Sequence, residues 1–163
     1  MTVNAGSSLR LMCSALLCLS AAPAIAQDLD IGFSCSVKRE DDTGPVIYAD
    51  SGKFRLDGNQ IREFYWESSL FHSTHGFDCS IDQGDGLQAE TTGNGWRVTL
   101  ANPRMARDRR GYDWDHGLNC SIRLEPSGDT LQVKPSCPAL CGSRSNFSAL
   151  SVDLKTGNCH IEE

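Results

Sequence analysis

Along most of this chain apolar residues alternate with polar ones in short runs, broken about every ten residues by turn-forming segments rich in glycine. A period of two sends successive side chains to opposite faces of an extended backbone, so the pattern commits the chain to antiparallel strands rather than helices. Runs of this kind cover 33–37, 53–56, 60–66, 87–92, 96–100, 120–125, 130–134 and 149–154. Three pairs of them flank the links Asp57-Gly58-Asn59, Gly93-Asn94-Gly95 and Pro126-Ser127-Gly128-Asp129, which are compositions that close hairpins. No stretch carries a helical stripe, although Pro103 to Arg110 has room for one or two exposed turns. The expected fold is all-β: a small antiparallel barrel or a two-sheet sandwich of about seven to nine strands, because either arrangement hides strand edges.

Cysteine usage narrows this further. Residues 1–26 carry Arg10 as their single charge, an apolar segment and the small-residue site Ala24-Ile25-Ala26, the layout of an export signal cleaved after Ala26. The apolar stretch is shorter than the ~20 residues a spanning helix needs, so no membrane span is expected in the mature chain. Cys13 and Cys18 leave with this leader. The remaining cysteines, Cys35, Cys79, Cys120, Cys137, Cys141 and Cys159, are even in number, and in an oxidising compartment they imply three disulfides. Cys120 and Cys137 bracket one hairpin and face each other at its open end, which makes them a pair. Cys141 with Cys159 and Cys35 with Cys79 then complete one of the fifteen possible connectivities. The expected organisation is a periplasmic single domain over 27–163, tied by its bridges.

Several function classes are disfavoured. The chain has a formal charge of −6, and loss of Arg10 makes the mature protein more acidic still. Nucleic acid is therefore an unsuitable partner and a basic protein a suitable one. There is no Gly-x-Ser-x-Gly elbow, no His-Glu-x-x-His and no glycine-rich phosphate loop, and paired thiols cannot act as nucleophiles. No enzyme activity, catalytic residue or cofactor is expected. His72 and His75 are spaced three apart in a region that does not read as helix, and Cys137-x-x-x-Cys141 lacks a second knuckle, so no metal site is expected either.

The segment from Cys137 to Ser148 has a cysteine, three residues, Cys141-Gly142, a turn of small residues around Arg144, the aromatic Phe147 and then a final strand. In this C-terminal part the chain resembles small periplasmic lysozyme-inhibitor-like proteins of Gram-negative bacteria. That resemblance implies a disulfide-tied β scaffold whose serine-and-glycine loop enters the cleft of a basic cell-wall hydrolase. The loop residues it points to are Ser143, Arg144, Ser145, Asn146 and Phe147; here Gly142-Ser143 reverses the family's Ser-Gly order, and Phe147 stands where a tyrosine is typical. Such a cleft holds two carboxyl groups, which Arg144 and the serine hydroxyls would meet with donors. The plainer reading is a turn held by its neighbouring bridges, with Arg144 in water.

A second surface lies at 104–116, where Arg107, Arg109 and Arg110 precede Tyr112 and Trp114 among acids. Arginine, tyrosine and tryptophan are the residue types that most often anchor interfaces. The plainer alternative is a solvated loop whose arginines pair with Asp108, Asp113 and Asp115. The function expected from the residues and the resemblance together is a non-catalytic inhibitor, or immunity protein, of a peptidoglycan-cleaving hydrolase such as lysozyme. The alternative is a structural or glycan-binding envelope protein that takes peptidoglycan itself as partner.

Overall fold

The computed structural model describes Met1 and residues 28–42, 44–111, 119–137, 140 and 146–162. The export-signal and cleavage expectations at 1–26 thus lie almost wholly outside the described residues. Among the described residues, ten strands form two antiparallel sheets. The first sheet is a meander of β1 (Asp28–Asp41), β2 (Gly44–Asp57), β3 (Gln60–His72) and β4 (Gly76–Asp82), in the order β1-β2-β3-β4. A 3-10 turn, Gln83–Asp85, leads to the second sheet, built from β5 (Leu87–Thr92), β6 (Gly95–Leu100), β7 (Ser121–Ser127), β8 (Thr130–Pro135), β9 (Leu150–Asp153) and β10 (Cys159–Ile161). Its order, β10-β9-β8-β7-β6-β5, is again that of the chain, so every pairing joins consecutive strands. The helix α1 (Pro103–Arg110) bridges β6 and β7.

Each sheet turns one face inward. On the first, Ile31, Phe33, Phe54, Phe64, Trp66 and Ile81 share a face because they occupy matching register positions. On the second, Trp96, Val98, Ile122, Leu124, Leu131, Val133, Leu150 and Val152 do the same. All are buried in one continuous cluster that spans both sheets. Gly52 makes room in it: a Cβ there would lie 2.7 Å from the Phe33 ring and 2.6 Å from the Tyr65 carbonyl oxygen. Gly52→Ala is expected to cost about 1–3 kcal/mol through overpacking, read as a lower urea midpoint, and an unchanged midpoint would show that the ring has room to move.

The two sheets approach each other at both sides without closing. On one side Ser34 of β1 bridges Asn158, and Cys35 is joined to Cys159 with the Cα atoms 5.3 Å apart. On the other, the β2–β3 turn seats on the β5–β6 hairpin: Trp96 Nε1 donates to Gly58 O at 2.9 Å, and Thr91 N to Asn59 Oδ1 at 2.7 Å. Of the two expected architectures the sandwich is therefore the one formed, and the barrel is not. The strand count exceeds the expected range because β4 and the very short β10 escaped the pattern.

Two disulfides are seen among the described residues, Cys35–Cys159 and Cys120–Cys137. The second is the expected hairpin bridge. The first overturns the expected pairings of Cys35 with Cys79 and of Cys141 with Cys159. Cys35 and Cys79 lie in one cross-strand row, Cys35–Asp50–Ser68–Cys79, with β2 and β3 between them. Three strand spacings, roughly 14 Å, are beyond a disulfide's reach. Cys79 is itself disulfide-bonded, and its partner, like Cys141, lies outside the described residues.

Candidate functional site

Asn146 and Phe147, the last two residues of the expected contact loop, are buried at 3 % and 1 % exposure. They sit against the inner face of the first sheet. Asn146 Nδ2 donates to the carbonyl oxygens of Ser68 on β3 (2.5 Å) and Phe77 on β4 (3.1 Å), so one amide satisfies two backbone acceptors. Phe147 N donates to Ser68 Oγ at 2.9 Å, and its ring meets Trp66 edge-on with centroids 4.6 Å apart. Phe147 holds φ at 64°, a left-handed conformation that non-glycine residues seldom adopt. The strain is offset by these contacts, and strain of this kind concentrates where a loop must keep one shape.

A buried carboxylate lies beneath this anchor. Asp50, on β2, is 3 % exposed and accepts a hydrogen bond from Trp66 Nε1 at 2.8 Å. Its neighbour across the pair is Ser68, and no lysine or arginine pairs with it among the described residues. Burial pushes the Asp50 carboxyl up to about 6, against the opposing effect of the hydrogen bonds from Trp66 and Ser68. Asp50, Trp66, Ser68, Asn146 and Phe147 thus form one buried polar and aromatic hub joining the sheet to the loop. Asp50, Trp66 and Ser68 were not singled out from the sequence. The available signal was parity: Asp50 is an even step from Gly52, Phe54 and Leu56 and must point inward with them.

Ser143, Arg144 and Ser145 lie outside the described residues. Both flanks of the span 141–145 are fixed, however. Leu140 is buried at 4 % exposure, and its carbonyl oxygen accepts from Arg107 Nε at 3.1 Å. Just upstream, Cys137 is tied to Cys120.

The arginine-rich surface takes a different form from the exposed turns expected at Pro103–Arg110. Asn102 caps α1 by accepting from Met105 N, a proline opens the helix and Gly111 ends it in a left-handed conformation. Arg107 is 2 % exposed and turned inward. Arg110 contacts Asp85 through Nε (2.8 Å), Asp82 (2.6 Å) and Ser80 Oγ (2.8 Å), while Arg109 reaches Asp85 at 2.5 Å. Asp82, the last residue of β4, and Asp85, in the turn that follows, therefore take the cations of Arg109 and Arg110, while the expected partners Asp113 and Asp115 lie outside the described residues. Hydrogen bonding to Asp85 raises the Arg110 pKa and keeps the guanidinium charged. Arg109 and Arg110 fasten α1 to the end of β4 and the turn after it, and Arg107 ties α1 to the Leu140 carbonyl; Tyr112 and Trp114 lie outside the described residues.

Among the described residues no group of three or more histidine, cysteine and acidic side chains is placed to hold a metal ion, and no helix is long and apolar enough to cross a membrane. His72 and His75 stack at 4.7 Å beside the β3–β4 turn. Compared with protein-family models, curated proteins and solved structures, the chain matches none of them.

Proposed function

We propose that this chain is an exported, periplasmic binding protein that inhibits a peptidoglycan-cleaving hydrolase such as lysozyme, as a defence or immunity protein, by presenting the loop around Ser143, Arg144 and Ser145. The observation that carries this reading is the buried hub at Asn146 and Phe147 together with the fixed Leu140: a span held at both ends loses little freedom on binding. Disulfides suit an oxidising compartment, and an acidic body favours encounter with a basic hydrolase. In this reading Asn146 and Phe147 hold the loop, and contact falls to the residues before them.

The test is cell-wall lysis by a panel of lysozymes in the presence of excess purified protein. Lysis by at least one of them is expected to fall, and Arg144→Ala and Ser143→Ala are each expected to weaken that effect by tenfold or more. Asn146→Ala removes the amide that donates to the Ser68 and Phe77 carbonyl oxygens and is expected to cost about 1–3 kcal/mol of stability. It should also weaken inhibition while the protein remains folded by circular dichroism. Undiminished lysis across the panel would remove the inhibitor reading.

A further inference from the structure

The outward face of the first sheet carries a feature that the loop reading leaves unused. Ser34 of β1 pairs with Ser51 of β2, Ser51 with Glu67 of β3, and Glu67 with Ser80 of β4. The next outward row is Ser36, Ala49, Ser69 and Asp78. Because these side chains are short, the face sinks into a shallow depression lined by Ser34, Ser36, Ala49, Ser51, Glu67 and Ser69 and, from the inward row, by Cys35 and Asp50. Longer side chains stand at its two ends: Tyr65 beyond Glu67, and Phe71 paired with Ile47 beyond Ser69. Tyr65, Phe71 and Ile47 are 38 %, 42 % and 43 % exposed, large apolar surfaces left open beside a polar floor. Outward positions along β3 thus read Tyr65, Glu67, Ser69, Phe71, an aromatic at each end about 20 Å apart with a carboxylate and a hydroxyl between.

Glu67 is the informative residue. It is half-buried, accepts a hydrogen bond from Tyr65 Oη at 2.6 Å and has no ion pair among the described residues. The hydrogen bond to Glu67 pushes the Tyr65 phenol up to about 12, so it stays a donor to the carboxylate on the floor of the trough. The cations nearest in register are already engaged: Lys53 with Asp30, and Arg110 with Asp82 and Asp85. The trough therefore offers hydroxyls, which both donate and accept, and one negative charge that lacks a counterion. A fitting occupant brings N–H or ammonium donors and hydroxyls, carries no negative charge, and has flat apolar faces for Tyr65 and Phe71.

We infer that this trough binds a glycan chain of amino sugars, laid along β3 with its ring faces on Tyr65 and Phe71 and a sugar nitrogen at Glu67. The outward side chains of the site lie on the face of the first sheet opposite the one that Asn146 and Phe147 pack against. Calorimetry with the tetramers of glucosamine, N-acetylglucosamine and galacturonic acid tests it. Glucosamine tetramer is expected to bind, more tightly as salt falls, the acetylated form to bind more weakly, and the galacturonate not at all. Glu67→Gln keeps an acceptor for Tyr65 and is expected to weaken the glucosamine tetramer by tenfold or more. Ser51→Leu fills the floor and should abolish binding of both amino sugars with the melting midpoint held. Both variants should leave lysozyme inhibition unchanged. Binding of none of the three, equal binding of the galacturonate, or indifference to both substitutions would overturn the assignment.

Discussion

Replacing Cys35 and Cys159 together by serine is expected to lower stability by about 5 kcal/mol, because their bridge closes a loop with a sequence separation of 124. Removing Cys120–Cys137, whose separation is 17, is expected to cost about 3 kcal/mol on the same reasoning. The order of the two effects is the informative part. Cys35–Cys159 ties β1 to β10 and fastens one side of the sandwich, where, among the described residues, one backbone bridge links the sheets, between Ser34 and Asn158. Urea titration of the two double variants under oxidising conditions measures both losses. A loss below about 1 kcal/mol for the Cys35/Cys159 variant would mean that the packed sheet faces alone hold the seam.

Asp50 gives the second large effect, and its sign is unusual for a carboxylate. Its folded-state pKa is raised from 3.8 to about 6 by burial, so between these values the folded chain holds a proton that the unfolded chain has released. The stabilisation is complete below pH 4, is lost as pH rises through 6, and stays lost at neutral pH. At 1.36 kcal/mol per pH unit the swing is about 3 kcal/mol. Asp50→Asn preserves an acceptor for Trp66 Nε1 without the charge. The variant is expected to be more stable than the wild type at pH 7.5 by up to about 3 kcal/mol and to lose this dependence on acidification. Chemical denaturation at pH 4.5, 6 and 7.5 decides the matter. A wild type that gains stability from pH 4.5 to 7.5, relative to Asp50→Asn, would show that the carboxylate is ionised without penalty. Because Asp50 lies under Ser68 and Trp66, the same titration reports on the hub that holds Phe147.

The strands were legible in proportion to how strictly they alternate. The turn at Gly58 and the hairpins at 93–95 and 126–129 could be placed because glycine chemistry marks where the period of two restarts. The first two strands run much further than the expected segments at 33–37 and 53–56, since Lys53 with Asp30 and Arg39 over Tyr48 extend pairing through polar stretches. The Cys35–Cys159 bridge was not legible, because it depends on which strand edges meet when two sheets stack, and alternation says nothing about that. The helix at Pro103–Arg110 was visible as a possibility, but its arginines read as surface. The partners of Arg109 and Arg110, Asp82 and Asp85, lie 24 to 28 residues away in sequence, and no local rule connects them. For the loop, sequence pointed to the segment but not to the burial of its last two residues: Asn146 gives its amide to backbone carbonyls and Phe147 packs its ring on Trp66.

Hydrogen exchange over 140–148, in the free protein and mixed with each lysozyme of the panel, bears on the whole proposal at once. If the loop is held by its hub and docks on a hydrolase, Phe147 N–H exchanges slowly in the free protein, and the peptide covering 141–146 gains protection only with the lysozymes whose lysis is inhibited. Fast exchange at Phe147, or inhibition accompanied by protection elsewhere and none at 141–146, would contradict it.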